Sequence, residues 1–319
     1  MSLLEELQTY SGLGYGELGA VLRTAPRRYK AYLIPKRSGG HRMIAQPARE
    51  LKNLQYFLID RTLSKLPVHS AAAAYRENVG IRSNAAAHAR NEVILKLDFS
   101  DFFPSIKPRD WMLFCGSLDP EVAEASGLAT GADVMLATRL LFWGRGTFEP
   151  KCLSIGAPSS PVLSNVLMFA FDTAVAAHAI QNDVVYTRYA DDITLSSDRS
   201  KQILLVEAAI RRYIKRYRSP ALTINEEKRG LYTSGQKKMV TGLVVTPEKR
   251  VSLGRDRKRM ISSLVHRFTL TQLELPKIAY LQGMLAFARD VEPSFYASLE
   301  RKYGQPTMRA LLAFRLPKS

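Results

Sequence analysis

The chain has 319 residues, 46% of them hydrophobic, and a mean hydropathy of −0.13, the balance of a globular protein long enough for two or three subdomains. Its 46 Lys and Arg outnumber 29 Asp and Glu, leaving a formal charge of +17 that points to a polyanionic partner, nucleic acid before membrane surface. Two cysteines, Cys115 and Cys152, without a CxxC pair, exclude a disulfide framework and a zinc ribbon. The opening MSLLEELQTY has neither the basic flank nor the apolar core of a signal peptide. The most apolar stretch, 166–180, is interrupted by Asp172 and His178 and falls short of a membrane span. A cytoplasmic protein without membrane attachment is expected.

Helical and strand patterns alternate along the chain, which predicts a mixed α/β architecture. Residues 29–47, YKAYLIPKRSGGHRMIAQP, read as strand, Gly-Gly turn, strand. Helical spacing follows at Leu51, Leu54, Leu58 and Leu63. VILKLD, 93–98, is a short buried strand ending in an acid. One amphipathic helix is expected over 160–180, led in by Pro161, then a hairpin around Asp191 and a helix over about 200–218 with a basic tail. Strands are expected around 221–225 and 239–245. From Arg255 onward the pattern is helical, with Met260, Ile261, Leu264, Val265 and Phe268 on one apolar face.

The sharpest chemical signal is VVYTRYADDITLSS, 184–197, where Asp191 and Asp192 adjoin inside an apolar, β-prone run. On a regular strand neighbouring side chains point to opposite faces. A tight turn over 189–192 breaks that alternation and lets both carboxylates converge. Converged carboxylates repel and lose hydration unless a cation joins them. Asp98, ending the strand 93–98, supplies a third acid. Three acids near one point are a hard-oxygen set suited to Mg²⁺. A pair of ions about 4 Å apart can activate an attacking oxygen and stabilise a leaving one.

These strings resemble reverse transcriptases. RYADDITLS resembles the Tyr-x-Asp-Asp hairpin of that family, and VILKLDFSDFFPSI its first palm strand. IPKRSGGHRMIAQP, SIGAPSSPVLSN, LTINEEKRG and MVTGLVV resemble four further blocks in the family's order, so the likeness covers about 30–245. Asn84 to His88, NAAAH, and Val240, Thr241 and Gly242, VTG, match two elements of the retron type. No RNase H, maturase or endonuclease extension is recognisable. The resemblance implies an α+β right-hand polymerase fold. Its fingers would span 1–92. A palm with a ferredoxin-like βαββαβ sheet would span 93–247, with a fingers insertion near 119–150. A helical thumb would span 248–319.

The resemblance further implies RNA-directed DNA synthesis on a cognate structured noncoding RNA. Priming would come from an internal guanosine 2′-OH, giving branched RNA–DNA (multicopy single-stranded DNA). The implied setting is antiphage defence, beside an effector protein encoded nearby. Expected partners are that RNA, the RNA–DNA product and dNTPs; expected cofactors are two Mg²⁺ ions, with Mn²⁺ an alternative. Competing readings are a group II intron or diversity-generating reverse transcriptase, and a catalytically idle RNA-binding scaffold for a toxin.

Beside that resemblance, each residue carries an expected role and a plainer alternative. Asp98, Asp191 and Asp192 are the expected catalytic metal ligands, with the Phe99 carbonyl a further candidate. Asp191 is the firmer ligand of the adjacent pair, and Asp192 acts through water or the second ion. Lys36 and Arg42 flank Gly39-Gly40, where they could reach a triphosphate; a solvated basic turn is the alternative. Phe103, five residues past Asp98, matches the position where the resembled family sets an aromatic under the sugar, which implies exclusion of a ribose 2′-OH; plain core packing is the alternative. Gly156, Ala157 and Pro158 belong to the nucleotide-side block, where Ile155 replaces the Gln of many relatives. Lys228 could protonate or neutralise pyrophosphate, or be a surface lysine. Tyr189 supports the hairpin and primer end, or packs in the core. Asn84 and His88 share a helical face for RNA contact or a local polar network. Arg255, Lys258, Arg259 and Arg267 would track a duplex backbone, or form a solvated face.

Overall fold

The computed structural model describes residues 2–36 and 39–315, so Arg37 and Ser38 of the expected Gly-Gly turn lie outside the described residues. The strands are β1 (Tyr29–Pro35), β2 (His41–Pro47), β3 (Val93–Asp98), β4 (Val185–Tyr189), β5 (Asp192–Ser197), β6 (Gly230–Tyr232), β7 (Lys238–Val240), β8 (Leu243–Val245) and β9 (Val251–Ser252). Strands β1 and β2 form an antiparallel hairpin in which Tyr29 pairs with Pro47 and Pro35 with His41. A four-stranded sheet has the order β4-β5-β3-β6. Helices Ser159–Leu167 and Phe169–Gln181 fall between β3 and β4, and Ser200–Arg216 falls between β5 and β6. That is a βαββαβ run whose strands lie in the order second, third, first, fourth, the ferredoxin-like arrangement.

Three expectations on local structure change. The single helix over 160–180 is two, bent by 52° at Met168. The second of them buries Asp172 against Arg188, a contact that an amphipathic pattern does not encode. Residues 221–225 form only an isolated bridge, Phe99 with Ile224, and the fourth strand of the sheet comes later, at β6. Residues 239–245 are not one strand but parts of the β7–β8 hairpin, in which Val240 faces Leu243 across Thr241 and Gly242. Both turn residues have positive φ, 46° and 80°, the signature of a two-residue turn that continues the strand twist.

The chain divides into two compact units, Met1–Glu77 with Leu95–Leu195 and Arg199–Gly230, and Asn78–Ile94 with Ser196–Asp198 and Leu231–Ser319. In the first, Leu95, Leu97, Phe99, Phe171, Ile193, Leu195, Val206 and Ile210 are buried. In the second, Ile261 and Val265 of the helix Arg255–Thr269 join Val240, Leu243, Leu281 and Leu285 in one apolar cluster, against which Met260, Leu264 and Phe268 pack. That is the apolar face its spacing predicts. No single described helix is long and apolar enough to cross a membrane, although the bent pair at Met168 passes by length and composition together.

Candidate active site

Strand β3 delivers Asp98 at its end, buried, with its main-chain carbonyl accepting from Asn225 N at 2.7 Å. The β4–β5 turn is Ala190-Asp191, with Ala190 at φ 57°. The Asp191 carbonyl accepts from Phe99 N at 3.1 Å. This one main-chain bond fastens the turn to the strand end, and so brings the acid at 191 to the acid at 98.

The electrostatics register the crowding. Burial, then the Asp98 charge, raises the Asp191 carboxyl against the partial relief of Lys228 and Arg42. Burial raises Asp192 to about 6; Lys96 opposes this, while Asp191 and Asp98, the latter through a shared hydrogen bond, add to it. Lys228 Nζ donates to both carboxylate oxygens of Asp98 at 2.8 Å. Burial works against that ammonium, but the bond to Asp98 and the charges of Asp98, Asp191 and Asp192 together outweigh it and raise its pKa. The donor set is hard oxygen, and its mutual repulsion is what a divalent cation relieves. Among the described residues no three acids, histidines or cysteines are grouped so as to hold a metal ion by themselves, so the expected convergence of all three acids on one ion is reduced to the pair Asp98 and Asp191 at the cavity. An open set that substrate phosphates and water complete is the usual Mg²⁺ arrangement.

A cavity of about 540 Å³ opens on this cluster, lined by Asp98, Phe99 and Asp191 together with Lys36, Arg42, Phe103 and Lys228. Sequence positions 192 apart, Lys36 and Lys228, are thus gathered on one space. Asp191 lines it and Asp192 does not. Of the phenylalanines, Phe99 and Phe102 are buried and stacked on each other, while Phe103 is half-buried at the cavity. Ile155 lines the cavity as well, and its carbonyl accepts from Ala45 N at 2.8 Å. Gly156, at φ 122°, has Ala45 O only 3.0 Å from where a Cβ would stand, so the loop hugs β2 only as glycine. Ala157 is buried and Pro158 half-buried beside it, off the cavity lining. Tyr189 ends β4, half-buried.

Sequence reasoning missed Tyr75, His41 and Arg145, which also line the cavity. Burial, then the Asp191 charge, raises the Tyr75 phenol, keeping it a neutral donor. It also missed what holds the turn. Arg188, fully buried, is paired with the fully buried Asp172 at 2.6 Å, and its Nη1 donates to Asn165 Oδ1 at 3.1 Å and to the Ala190 carbonyl at 3.0 Å. Tyr186 donates to the same Asp172 at 2.5 Å. The available signal was a lone arginine within an apolar strand run, opposite a lone aspartate within an apolar helix run.

Residues 34–250 match the reverse transcriptase (RNA-dependent DNA polymerase) family. The retron Ec83 reverse transcriptase of Escherichia coli is 33% identical over 309 residues, 96% of this chain and 97% of that protein. The chain belongs to the retron reverse transcriptases. It is an RNA-directed DNA polymerase. The retron Ec73 reverse transcriptase of Escherichia coli is 33% identical, covering 91% of each chain. The retron Mx65 reverse transcriptase of Myxococcus xanthus is 32% identical over 88% of this chain and 65% of its own. Among solved structures, telomerase from Candida albicans, in complex with a fragment of telomeric RNA, superposes with a TM-score of 0.50 at 14% identity, covering 98% of this chain and 60% of that one. The fold is that of a right-hand polymerase.

The retron elements of this reverse transcriptase lie in the second unit, and there they meet. The helix Ile81–His88 carries NAAAH, and Thr241 Oγ1 of the β7–β8 turn donates to Ile81 O at 3.1 Å. Ala85 and Ala89 share an apolar cluster with Val240. Asn84 and His88 are both buried, which removes their side chains from direct RNA contact in this structure. His88 Nδ1 lies 2.7 Å from Ser196 Oγ, the local polar network of the two readings, and burial depresses its pKa to about 3. On the basic helix, Arg255 and Arg259 are exposed, and Arg267, also exposed, donates to Gln272 O at 3.4 Å. Lys258 is committed inward, to Glu292 at 2.5 Å, because Glu292 also accepts from Leu253 N and Ser252 and needs a cation there.

Proposed function

We propose that this retron reverse transcriptase copies part of a cognate structured noncoding RNA, priming from an internal guanosine 2′-OH to give branched RNA–DNA. The observation that carries the catalytic half is the convergence of Asp98 and Asp191 on one cavity with Lys36, Arg42 and Phe103. Asp98 and Asp191 bind the divalent ions directly and Asp192 acts at one remove, with Phe99 offering its carbonyl. Two Mg²⁺ ions, or Mn²⁺ in their place, supply activation of the attacking hydroxyl and charge relief at pyrophosphate. Lys36 and Arg42 hold the triphosphate, and Phe103 closes the space beside the sugar so that dNTPs are taken over rNTPs. Lys228 exchanges Asp98 for the leaving pyrophosphate and protonates or neutralises it.

In domain terms, fingers span 1–92, the palm 93–247 with its insertion near 119–150, and the thumb 248–319. The exposed Arg255, Arg259 and Arg267 track the phosphates of the RNA–DNA product. The VTG turn and NAAAH helix select the RNA, the latter by shaping the turn rather than by touching the ligand. The protein works in the cytoplasm, in antiphage defence, with an effector protein encoded nearby.

The test is purification with the co-expressed neighbouring RNA, then incubation with dNTPs and Mg²⁺. Branched DNA is expected; absence of any extension by the wild type sinks the reading. Asp191→Asn and Asp192→Asn should each lose synthesis, the first by about 10³-fold or more, with RNA binding kept. Loss of folding along with synthesis would make these acids structural.

A further inference from the structure

Helices Phe169–Gln181 and Ser200–Arg216 pack together and flank a second cavity of about 360 Å³, with no lining residue in common with the catalytic one. Its walls are unlike a core. Arg212, Arg216, Tyr213, Tyr217 and His178 line it, and Arg212, Arg216, Tyr217 and His178 are exposed.

Its positive charge is uncompensated. Five basic residues lie between 211 and 218, yet among the described residues only Arg211 has carboxylate partners, Glu207 and Glu226. Glu207 is shared further with Arg229, so the nearby acids are spent. Arg212, Lys215, Arg216 and Arg218 keep their charge toward solvent. The helix dipole favours cations in its last turn, which accounts for Lys215 and Arg216. It accounts neither for Arg212 nor for the tyrosines.

The aromatics are ordered rather than scattered. Tyr217, 50% exposed, lies 4.5 Å from Tyr213 at 30°. Tyr213 packs edge-on to Phe171 at 5.3 Å, and Phe171 edge-on to Phe99 at 5.8 Å. The Arg216 guanidinium sits 5.6 Å over the Tyr217 ring. The exposed ring is therefore held by a ladder rooted in the buried core. A half-exposed aromatic ring with an arginine plane over it, beside cations without carboxylate partners, offers an unpaired base a stacking surface and its phosphate a counter-charge. A duplex hides its base faces and could use the cations alone.

We propose that this groove docks a single-stranded segment of RNA, with a base on Tyr217, phosphates on Arg212 and Arg216, and His178 and the Tyr213 hydroxyl available to a 2′-OH. The site rests on the reading that the enzyme holds a long structured RNA, since it lies apart from the cavity where template is copied.

The test uses the whole protein and a single-stranded RNA of roughly twelve nucleotides carrying 4-thiouridine, within the span such sites cover. Irradiation should crosslink Tyr217 or Tyr213, read by peptide mass spectrometry. The double variant Arg212→Gln/Arg216→Gln and, separately, Tyr217→Ala should weaken binding of the long RNA about ten-fold. The double variant should also flatten the dependence on salt by one to two counterions, about 0.7 per phosphate lost. Extension of a short primed template should be unchanged in both. Crosslinks confined to other segments, or variants that bind as the wild type does, overturn the site. Stronger crosslinking to the same sequence in DNA overturns the commitment to RNA. A wild type that extends nothing but crosslinks at Tyr217 would sink the proposed reaction and leave the groove standing.

Discussion

Two turns of this molecule share a length and a strain, and differ in what holds them. Ala190-Asp191 joins β4 to β5 and Thr241-Gly242 joins β7 to β8, each led by a non-glycine residue in the left-handed region, φ 57° and 46°. Such backbone costs about 1–2 kcal/mol at a residue with a Cβ, so each turn must be held by its surroundings. The first is held by buried charge: Arg188, backed by Asp172, donates to the Ala190 carbonyl. The second is held by packing, with Val240 and Leu243 in an apolar cluster and one bond from Thr241 to Ile81. Buried ionic bonds fix direction and fail steeply when one partner is lost, whereas apolar packing yields by degrees. The carboxylate needs the first kind of support, because its purpose is position.

The largest effect should come from breaking that support. Arg188→Met leaves the Asp172 carboxylate buried beside Tyr186 alone, a loss of about 3–5 kcal/mol readable by urea unfolding. The double variant Asp172→Leu/Arg188→Met removes the stranded charge and should recover most of that stability. It should still synthesise DNA poorly, because the bond from Arg188 to the Ala190 carbonyl is then gone. Full synthesis by the stable double variant would show that the network serves the fold alone.

That network also marks where reading the sequence stops. The meeting of Asp98 and Asp191 on one cavity was legible because adjacent aspartates in an apolar run make sense only at a turn, and because Asp98 ends so apolar a strand. The helical tail was legible from the spacing of Met260, Ile261, Leu264, Val265 and Phe268. What was not legible depends on pairs distant in sequence. Asp172 read as an interruption of an apolar stretch until Arg188 faced it, and Lys258 read as a phosphate contact until Glu292 took it. The β7–β8 turn was hidden because MVTGLVV has the composition of a strand, and only the φ values of Thr241 and Gly242 divide it. The fourth strand of the sheet was displaced for a similar reason, since the apolar residues near 222–224 make a single bridge rather than a ladder.

The two regions should also answer pH with opposite sign. Burial keeps His88 neutral down to about 3, while the unfolded imidazole protonates near 6.5. Between those values the unfolded chain binds the extra proton, so stability is lost as pH falls below about 6.5. At pH 5 the loss is roughly 2 kcal/mol. Asp192, raised to about 6 from an unfolded value near 3.9, does the reverse. Its contribution is present below that unfolded value and is lost as pH rises through about 6. In metal-free buffer, His88→Gln should flatten the acid side of the stability curve and keep a partner for Ser196. Asp192→Asn should stabilise the protein at pH 7 more than at pH 5. Parallel curves for both variants and the wild type would mean that neither group carries the pH dependence.

The finest discrimination is glycine at the head of each turn. Ala190→Gly relieves about 1–2 kcal/mol of left-handed strain, and the added freedom of the unfolded chain takes back about 0.5–1 kcal/mol. Stability should therefore match the wild type or exceed it by up to about 1.5 kcal/mol. Synthesis should nonetheless fall several-fold in single-turnover dNTP incorporation, because Asp191 then sits on a backbone free to leave the position the Arg188 bond selects. Thr241→Gly makes the same exchange and loses the bond to Ile81, about 1 kcal/mol, so it should be the less stable of the two. Its incorporation on a short primed template should equal the wild type, with loss confined to the cognate RNA. If both variants slow the short template alike, charge and packing support the two turns to the same end, and the distinction between them fails.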